Sequence, residues 1–301
     1  MKLLNKKDRI SFRAYNLLVT FVILFVAYGC QKVDLDAIDN LSSNKIAVIG
    51  HGGIGFESTQ NPLPHDSYSS IMKAVEAFGV DGVEMDIQMS ADGVIFMYHD
   101  NTLETMTDCA GCILYTNSEV LKNCRYRASV RSNLFLNEKL SPVEIIFERF
   151  SKLQVKPTMI LDIKEALPNC GDFDFDNYVA QFTDEIIRLI VKYDALDWCI
   201  VESEKLKFMT ALKEKLPTLK LSFIPNYHTE EEIIDSAERG FYMISSRNDL
   251  ISKEFSKFIH DNGLRVAIYS VKTKDGSIEA VKKSPDFIYT DNIGLLQEIL
   301  R

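Results

Sequence analysis

Eight short apolar runs with strand character alternate with amphipathic helical segments along this chain, and that rhythm leaves few folds open. The runs lie at 45–50, 82–88, 158–163, 198–201, 220–223, 241–244, 265–270 and 287–289. The clearest helical patterns lie at 68–78, 175–192, 205–216, 230–237, 251–262 and 277–284. Strand and helix in strict alternation imply parallel strands. Eight of them is the number that closes a (β/α)8 TIM barrel, the α/β architecture expected here. An open doubly wound sheet is the alternative. The glycines after the first run, Gly52, Gly53 and Gly55, lack the G-x-G-x-x-G spacing of a dinucleotide loop. Residues 101–157 break the rhythm. This stretch holds three of the six cysteines and reads as a polar insertion on the barrel rim between strands 2 and 3, with a helix at 142–151.

The block from Gly82 to Asp100 carries the densest chemistry. It reads as a strand, a tight turn at Ala91-Asp92-Gly93 and a returning strand. The turn is too short for a parallel crossover, so the two strands run antiparallel. Glu84 and Asp86 are two apart and therefore point the same way. Two carboxylates on one face of an apolar strand repel each other and resist burial unless a cation neutralises them. The hairpin brings His99 and Asp100 back beside them. In a barrel, strand C-terminal ends face one cavity. The first strand delivers His51 there, and the run MILDIK delivers Asp162 and Lys164, again two apart. Glu84, Asp86 and Asp162 are hard oxygen ligands suited to Mg²⁺ or Ca²⁺. Two imidazoles beside such a set are the material of metal-assisted acid–base chemistry. His228, in the loop after the fifth strand, reads as a loop residue without a role, with a place at the cavity border as the alternative, and His260 in a peripheral helix reads as structural.

Glu84-x-Asp86, then Asp92-Gly93, then His99-Asp100 and Asn101-Thr102-Leu103 resemble the most specific block of the glycerophosphodiester phosphodiesterase family, part of the phospholipase-C-like phosphodiesterase superfamily of barrels. Leu161-Asp162-Ile163-Lys164 is similar to that family's Glu-x-Lys, and Ile288-Tyr289-Thr290-Asp291 to its closing Thr-Asp. The resemblance implies His51 and His99 as the acid/base pair. It implies a divalent cation on Glu84, Asp86 and Asp162, with Lys164 on the phosphate. It also implies hydrolysis of a phosphodiester to an alcohol and a phosphomonoester such as glycerol 3-phosphate. Attack by the substrate's own adjacent hydroxyl would give a cyclic phosphate that water opens. The chain departs from the pattern twice. His-Arg-Gly is replaced by His51-Gly52-Gly53, and Pro-Glu-Asn-Thr by Pro64-His65-Asp66-Ser67. The backbone N–H groups of Gly52 and Gly53 are then candidates for an oxyanion, with His65 and Tyr269 as further substrate contacts. The alternatives are a tethered, non-catalytic binding protein on the same barrel, or a phosphodiesterase for inositol- or sphingo-type phospholipids.

The start of the chain points to export. Lys2, Lys6, Lys7, Arg9 and Arg13 precede an apolar run at 15–27, which is short for a membrane span. Val26-Ala27-Tyr28-Gly29-Cys30 resembles a bacterial lipobox, implying cleavage before Cys30 and lipidation of its thiol. An uncleaved N-terminal anchor is the alternative. Either way the expectation is an exported, membrane-anchored lipoprotein in the periplasm or at the cell surface, with residues 31–44 as a tether and 45–301 as the barrel domain. The first 30 residues hold five basic residues and one acidic, so their removal takes the formal charge from −9 to −13. That acidity argues against nucleic acid as a partner and against charge-driven docking on anionic lipid; the small-molecule phosphodiester partner is what the family resemblance implies. Export permits disulfides. One from Cys124 to Cys109 or Cys112 is expected ahead of a zinc site, because no histidine lies among these cysteines. Five cysteines follow Cys30, so at least one thiol stays free, and Cys199 in its apolar strand reads as an inert buried thiol. Replacing Cys30 by Ser is expected to release the protein from the membrane fraction or leave it unprocessed. Unchanged mass and fractionation would refute lipidation.

Overall fold

The computed structural model describes residues 33–56, 61–127, 137–164 and 170–301. The export segment and Cys30 lie outside these residues. In chain order the strands are β1 (Ala47–Gly50), β2 (Gly82–Met89), β3 (Ile95–Met97), β4 (Thr158–Ile163), β5 (Cys199–Ser203), β6 (Lys220–Phe223), β7 (Met243–Arg247), β8 (Arg265–Val271) and β9 (Phe287–Thr290). Eight of them run parallel, each beside the next, and β9 pairs with β1 while β1 pairs with β2. The sheet is therefore closed, as the eight-run rhythm predicts. β3 is the hairpin return, antiparallel to β2 with Ile87 opposite Met97 and Met89 opposite Ile95.

The helices are α1 (Tyr68–Glu76), α2 (Ser118–Leu121), α3 (Glu144–Ser151), α4 (Phe175–Lys192), α5 (Leu206–Lys215), α6 (Glu230–Glu238), α7 (Lys253–Asp261), α8 (Lys274–Lys282) and α9 (Ile293–Ile299). Six of these nine starts are fixed by a capping side chain. Ser67, Asp174, Ser252, Thr273 and Asn292 accept from the first-turn N–H groups of α1, α4, α7, α8 and α9. Thr229 and Glu232 form a reciprocal capping box on α6. α4 buries Tyr178, Phe182, Ile186 and Leu189, one stripe at helical spacing. Each such side chain contributes about 1.5–3 kcal/mol through burial. All eight residues of β2 are buried, as befits a strand covered on both faces. Among the described residues no helix is long and apolar enough to cross a membrane.

The barrel interior changes character along its axis. Ile49, Ile160, Ile200, Met243 and Ala267 form an apolar layer toward the strand N-terminal ends. Above it the inward positions become polar, and the site lies there. Two expectations need correction. The tether was expected to reach 44, but the compact unit begins at Leu35. Ile38 is buried, Asn40 Nδ2 donates to the carbonyls of Lys45 and Pro285, and Ser42 donates to Asp286. Sequence patterning missed this docking because it rests on hydrogen bonds and one apolar residue. The insertion, expected to be polar, holds an apolar cluster of its own in which Leu103, Ile113, Leu121, Tyr126 and Leu140 pack on Phe96 and Tyr98. Cys124 pairs with Cys109, one of the two expected partners, and Cys112 pairs with Cys170 beyond β4. Cys199 is free and buried. His260 Nε2 is 2.9 Å from Asp286, a structural pairing within the barrel's lower end.

The Cys112–Cys170 bond spans 58 residues and ties the insertion to the loop after β4. Replacing both cysteines by Ala is expected to lower stability by about 2–4 kcal/mol. Amide exchange should quicken across 103–126 and remain slow in β5–β8. Unchanged exchange in the insertion would mean that its apolar cluster and the Cys109–Cys124 bond hold it without the tie to Cys170.

Candidate active site

The parallel register sets the site. Asp86 is the cross-strand partner of Asp162, Asp162 of Glu202, and Glu202 of Ser222. Four adjacent strands thus present one row of polar side chains, with neighbouring strands about 4.8 Å apart. Glu84 stands two residues below Asp86 on the same face. One oxygen from each of Glu84, Asp86 and Asp162 falls within 4.8 Å of the others, and all three are buried. Lys164 Nζ lies 2.9 Å from Asp86 and 2.6 Å from Asp162.

One ammonium cannot balance three buried carboxylates. Burial pushes Glu84 well above the carboxylate range, and Asp86 and Asp66 push it further. Burial likewise raises Asp162, against the pull of Lys164. Burial would raise Asp86 too, but Lys164 and His99 outweigh it and hold the carboxyl well down. Burial opposes the charge on Lys164, yet Asp162 and Asp86 keep it firmly protonated. An all-oxygen donor set with surplus negative charge fits a hard divalent cation.

The two histidines flank this set. His51 Nδ1 is 2.7 Å from Asp291 Oδ1, and its Nε2 is 3.9 Å from Glu84. His99 Nδ1 is 2.7 Å from Asp100 Oδ1. In each ring a carboxylate holds Nδ1 and leaves Nε2 for chemistry. The bond to Asp100 raises His99 above the ordinary imidazole range. His51, Glu84, Asp86, His99, Asp162, Lys164 and Tyr269 share the wall of one cavity of about 200 Å³.

The other expected contacts stand elsewhere. The Gly52 N–H, a candidate for an oxyanion, instead donates to Glu84 Oε2 at 3.0 Å. Gly53 has its Cα against Ser70 of α1, with no room for a Cβ. His65 stands behind Phe56, ring centroids 4.3 Å apart, outside the cavity wall. Burial lowers its imidazole to about 4. A Cβ on Gly52, which sits at φ +56°, would lie 2.8 Å from His65 Cβ. The two departures from the family pattern therefore meet in space, and an Arg at 52 would need His65 to move. His228 is not part of the wall.

Sequence reading missed Glu202. Its Oε2 accepts from Ser222 (2.6 Å), Tyr289 (3.0 Å) and Ser245, which crosses the barrel interior. Burial pushes it up to about 7, with Asp162 adding to the rise. The signal was available, since Glu202 and Glu204 are also two apart at the end of an apolar strand. Both lie in the cavity wall, as does Lys272, 3.5 Å from Asp291.

Residues 58–295 match the model of the glycerophosphoryl diester phosphodiesterase family. The chain belongs to this family. It is thus a phosphoric diester hydrolase by kinship. A glycerophosphodiester phosphodiesterase from Caldanaerobacter subterraneus is 22% identical over 260 residues, covering 85% of this chain and 98% of that protein. Human glycerophosphodiester phosphodiesterase 1 is 31% identical over 98 residues, 32% of this chain and 28% of its own. Among solved structures, an Oleispira antarctica phosphodiesterase in complex with the product sn-glycerol-3-phosphate superposes with a TM-score of 0.73 at 17% identity, covering 86% of this chain and 98% of that one. A glycerophosphodiester phosphodiesterase from Parabacteroides distasonis gives 0.69 at 20% identity, covering 85% and 96%. These likenesses establish the fold that the family shares with this chain.

Because the folded-state Glu84 carboxyl is raised, its contribution to stability is full in acid and lost as pH rises. Above its ordinary value of 4.5 the unfolded chain gives up the proton while the folded one keeps it. In cation-free protein, Glu84→Gln is expected to raise Tm near neutral pH and to flatten its fall above about 4.5. Mg²⁺ or Ca²⁺ should raise the Tm of the unmutated chain and leave Glu84→Gln little changed. If neither ion stabilises the unmutated chain, the carboxylate trio is not a metal site.

Proposed function

We propose that this chain hydrolyses a glycerophosphodiester-like substrate to an alcohol and a phosphomonoester such as glycerol 3-phosphate, using one divalent cation and the His51–His99 pair. The observation that carries the reading is the cavity wall itself, where two imidazoles, each held at Nδ1 by a carboxylate, flank three buried carboxylates. Glu84, Asp86 and Asp162 would hold Mg²⁺ or Ca²⁺. When bound, such a cation lowers the pKa of a nearby hydroxyl and offsets charge building on phosphate.

The chain's own groups do the rest. Lys164, fixed between Asp86 and Asp162, offers its remaining N–H donor to a phosphate oxygen. Lys272, 3.5 Å from Asp291 in the same wall, adds a second positive charge to a site that lacks the family's Arg. Asp100 favours the protonated form of His99, which suits it to protonate the leaving alcohol. His51, steadied by Asp291, is left to take the proton from the attacking oxygen. Tyr269 and Phe56 give the wall aromatic surface against which an alcohol group would pack. The export signal and Cys30 would place this activity outside the cytoplasm on a lipid anchor.

The test is turnover of a glycerophosphodiester with and without EDTA, with phosphorus NMR reporting any cyclic phosphate. EDTA should abolish turnover and Mg²⁺ or Ca²⁺ restore it. His51→Ala and His99→Ala are each expected to lower kcat by roughly 10²–10⁴-fold. The losses should not multiply, because both groups serve one proton-transfer cycle. As the acid, His99 is active below its raised pKa and loses activity as pH rises through it. Asp100→Asn removes the cause of that rise, so the alkaline limb of the rate profile should move to lower pH. Full activity in both alanine variants would end the catalytic reading.

A further inference from the structure

We propose that His65, His99 and Asp100 form a second metal site, selective for a borderline ion of the Zn²⁺ class, whose occupation removes His99 from proton transfer and switches hydrolysis off. One donor atom from each residue lies within 4.8 Å of the other two, and none belongs to the carboxylate trio. The donor set is two imidazoles and one carboxylate. Nitrogen ligands suit Zn²⁺, whereas Mg²⁺ and Ca²⁺ favour oxygen alone. The two clusters are therefore chemically sorted, and of the second only His99 lies in the cavity wall shared with the carboxylate trio.

His65 is the residue that points to a ligand. It is 7% exposed, and its Nδ1 is fully buried without a hydrogen-bond partner among the described residues. Its Nε2 is 4.0 Å from Asp66 Oδ2, beyond hydrogen-bond reach. Leaving a buried donor or acceptor unsatisfied is unfavourable. Packing alone gives no reason to keep an imidazole here, since an apolar side chain would sit against Phe56 at no such cost. Its ring stands edge-on to His99, centroids 5.7 Å apart. Burial keeps it neutral, the form that binds metal. His99 and Asp100 open the site to solvent, with side chains 38% and 27% exposed.

The switch rests on the role of His99 in the preceding section. A metal on either ring nitrogen of His99 takes the place of that nitrogen's proton, so the doubly protonated imidazolium that would protonate the leaving alcohol no longer forms. The ion would thus act without competing for Glu84, Asp86 and Asp162.

The experiment is calorimetric titration of the Mg²⁺-saturated full chain with ZnCl₂, with glycerophosphodiester turnover followed in parallel. The unmutated chain should bind one Zn²⁺ that excess Mg²⁺ does not displace. His65→Asn and Asp100→Asn should each weaken that binding by more than the ~10–100-fold that follows loss of an outer-shell partner. Turnover should fall with the same midpoint as binding and recover on chelation. Zn²⁺ that Mg²⁺ displaces, or that both variants bind as tightly as the unmutated chain, overturns the site. Asp100 is partly exposed, so its variant still reports if His65→Asn fails to fold. The binding isotherm needs no turnover. An inactive chain that still binds Zn²⁺ through His65 would sink the hydrolase reading and keep the site.

Discussion

Burying like charges together dictates most of what stands at the upper end of this barrel. Closure of the sheet fixes β2, β4 and β5 in parallel register, so Asp86, Asp162 and Glu202 fall in one row with no freedom to separate. Lys164 answers part of that charge. The Gly52 N–H and the hydroxyls of Ser222, Ser245 and Tyr289 answer more of it. Barrel interiors are ordinarily filled by layers of branched apolar side chains. Here the apolar layer is confined to the lower end, and the polar layer above it is tolerable only because each carboxylate has donors or a counter-charge.

The histidines depend on the same frame. His51 leaves the end of β1 and is met by Asp291 from the end of β9, neighbours in space because the barrel closes between those strands. His99 arrives by the β2–β3 hairpin, whose register is reinforced by the Tyr98 N–H donating to the Asp86 carbonyl. The insertion then braces the hairpin from outside. Asp92 in its turn accepts from the Ser118 N–H and hydroxyl, and Tyr98 sits in the insertion's apolar cluster. Two disulfides fasten that cluster within itself and to the β4 side of the rim.

Much of this was legible in the order of residues. Period-two alternation in β2, the short turn at Asp92-Gly93 and the eight-run rhythm sufficed for the barrel, the hairpin and five of the groups at the cavity wall: His51, Glu84, Asp86, His99 and Asp162. Lys164 and Tyr269 were placed there too. The roles assigned to Gly52 and His65 did not follow from pattern. Both depend on how the loop after β1 folds back on itself, which turns the Gly52 N–H to Glu84 and sets His65 behind Phe56.

The sequence by itself determined the fold class and the strand ends that bear ionisable side chains, and narrowed the partner of Cys124 to Cys109 or Cys112, because these are local or periodic properties. Tertiary structure decided the rest. Pairing of Cys112 with Cys170, docking of residues 35–44 beneath the barrel, the Asp291 partner of His51 and the hydroxyl ring around Glu202 all join segments distant in the chain. Periodicity states which face a residue occupies. Only closure of the sheet states which other faces it meets, and the chemistry of this site is set by those meetings.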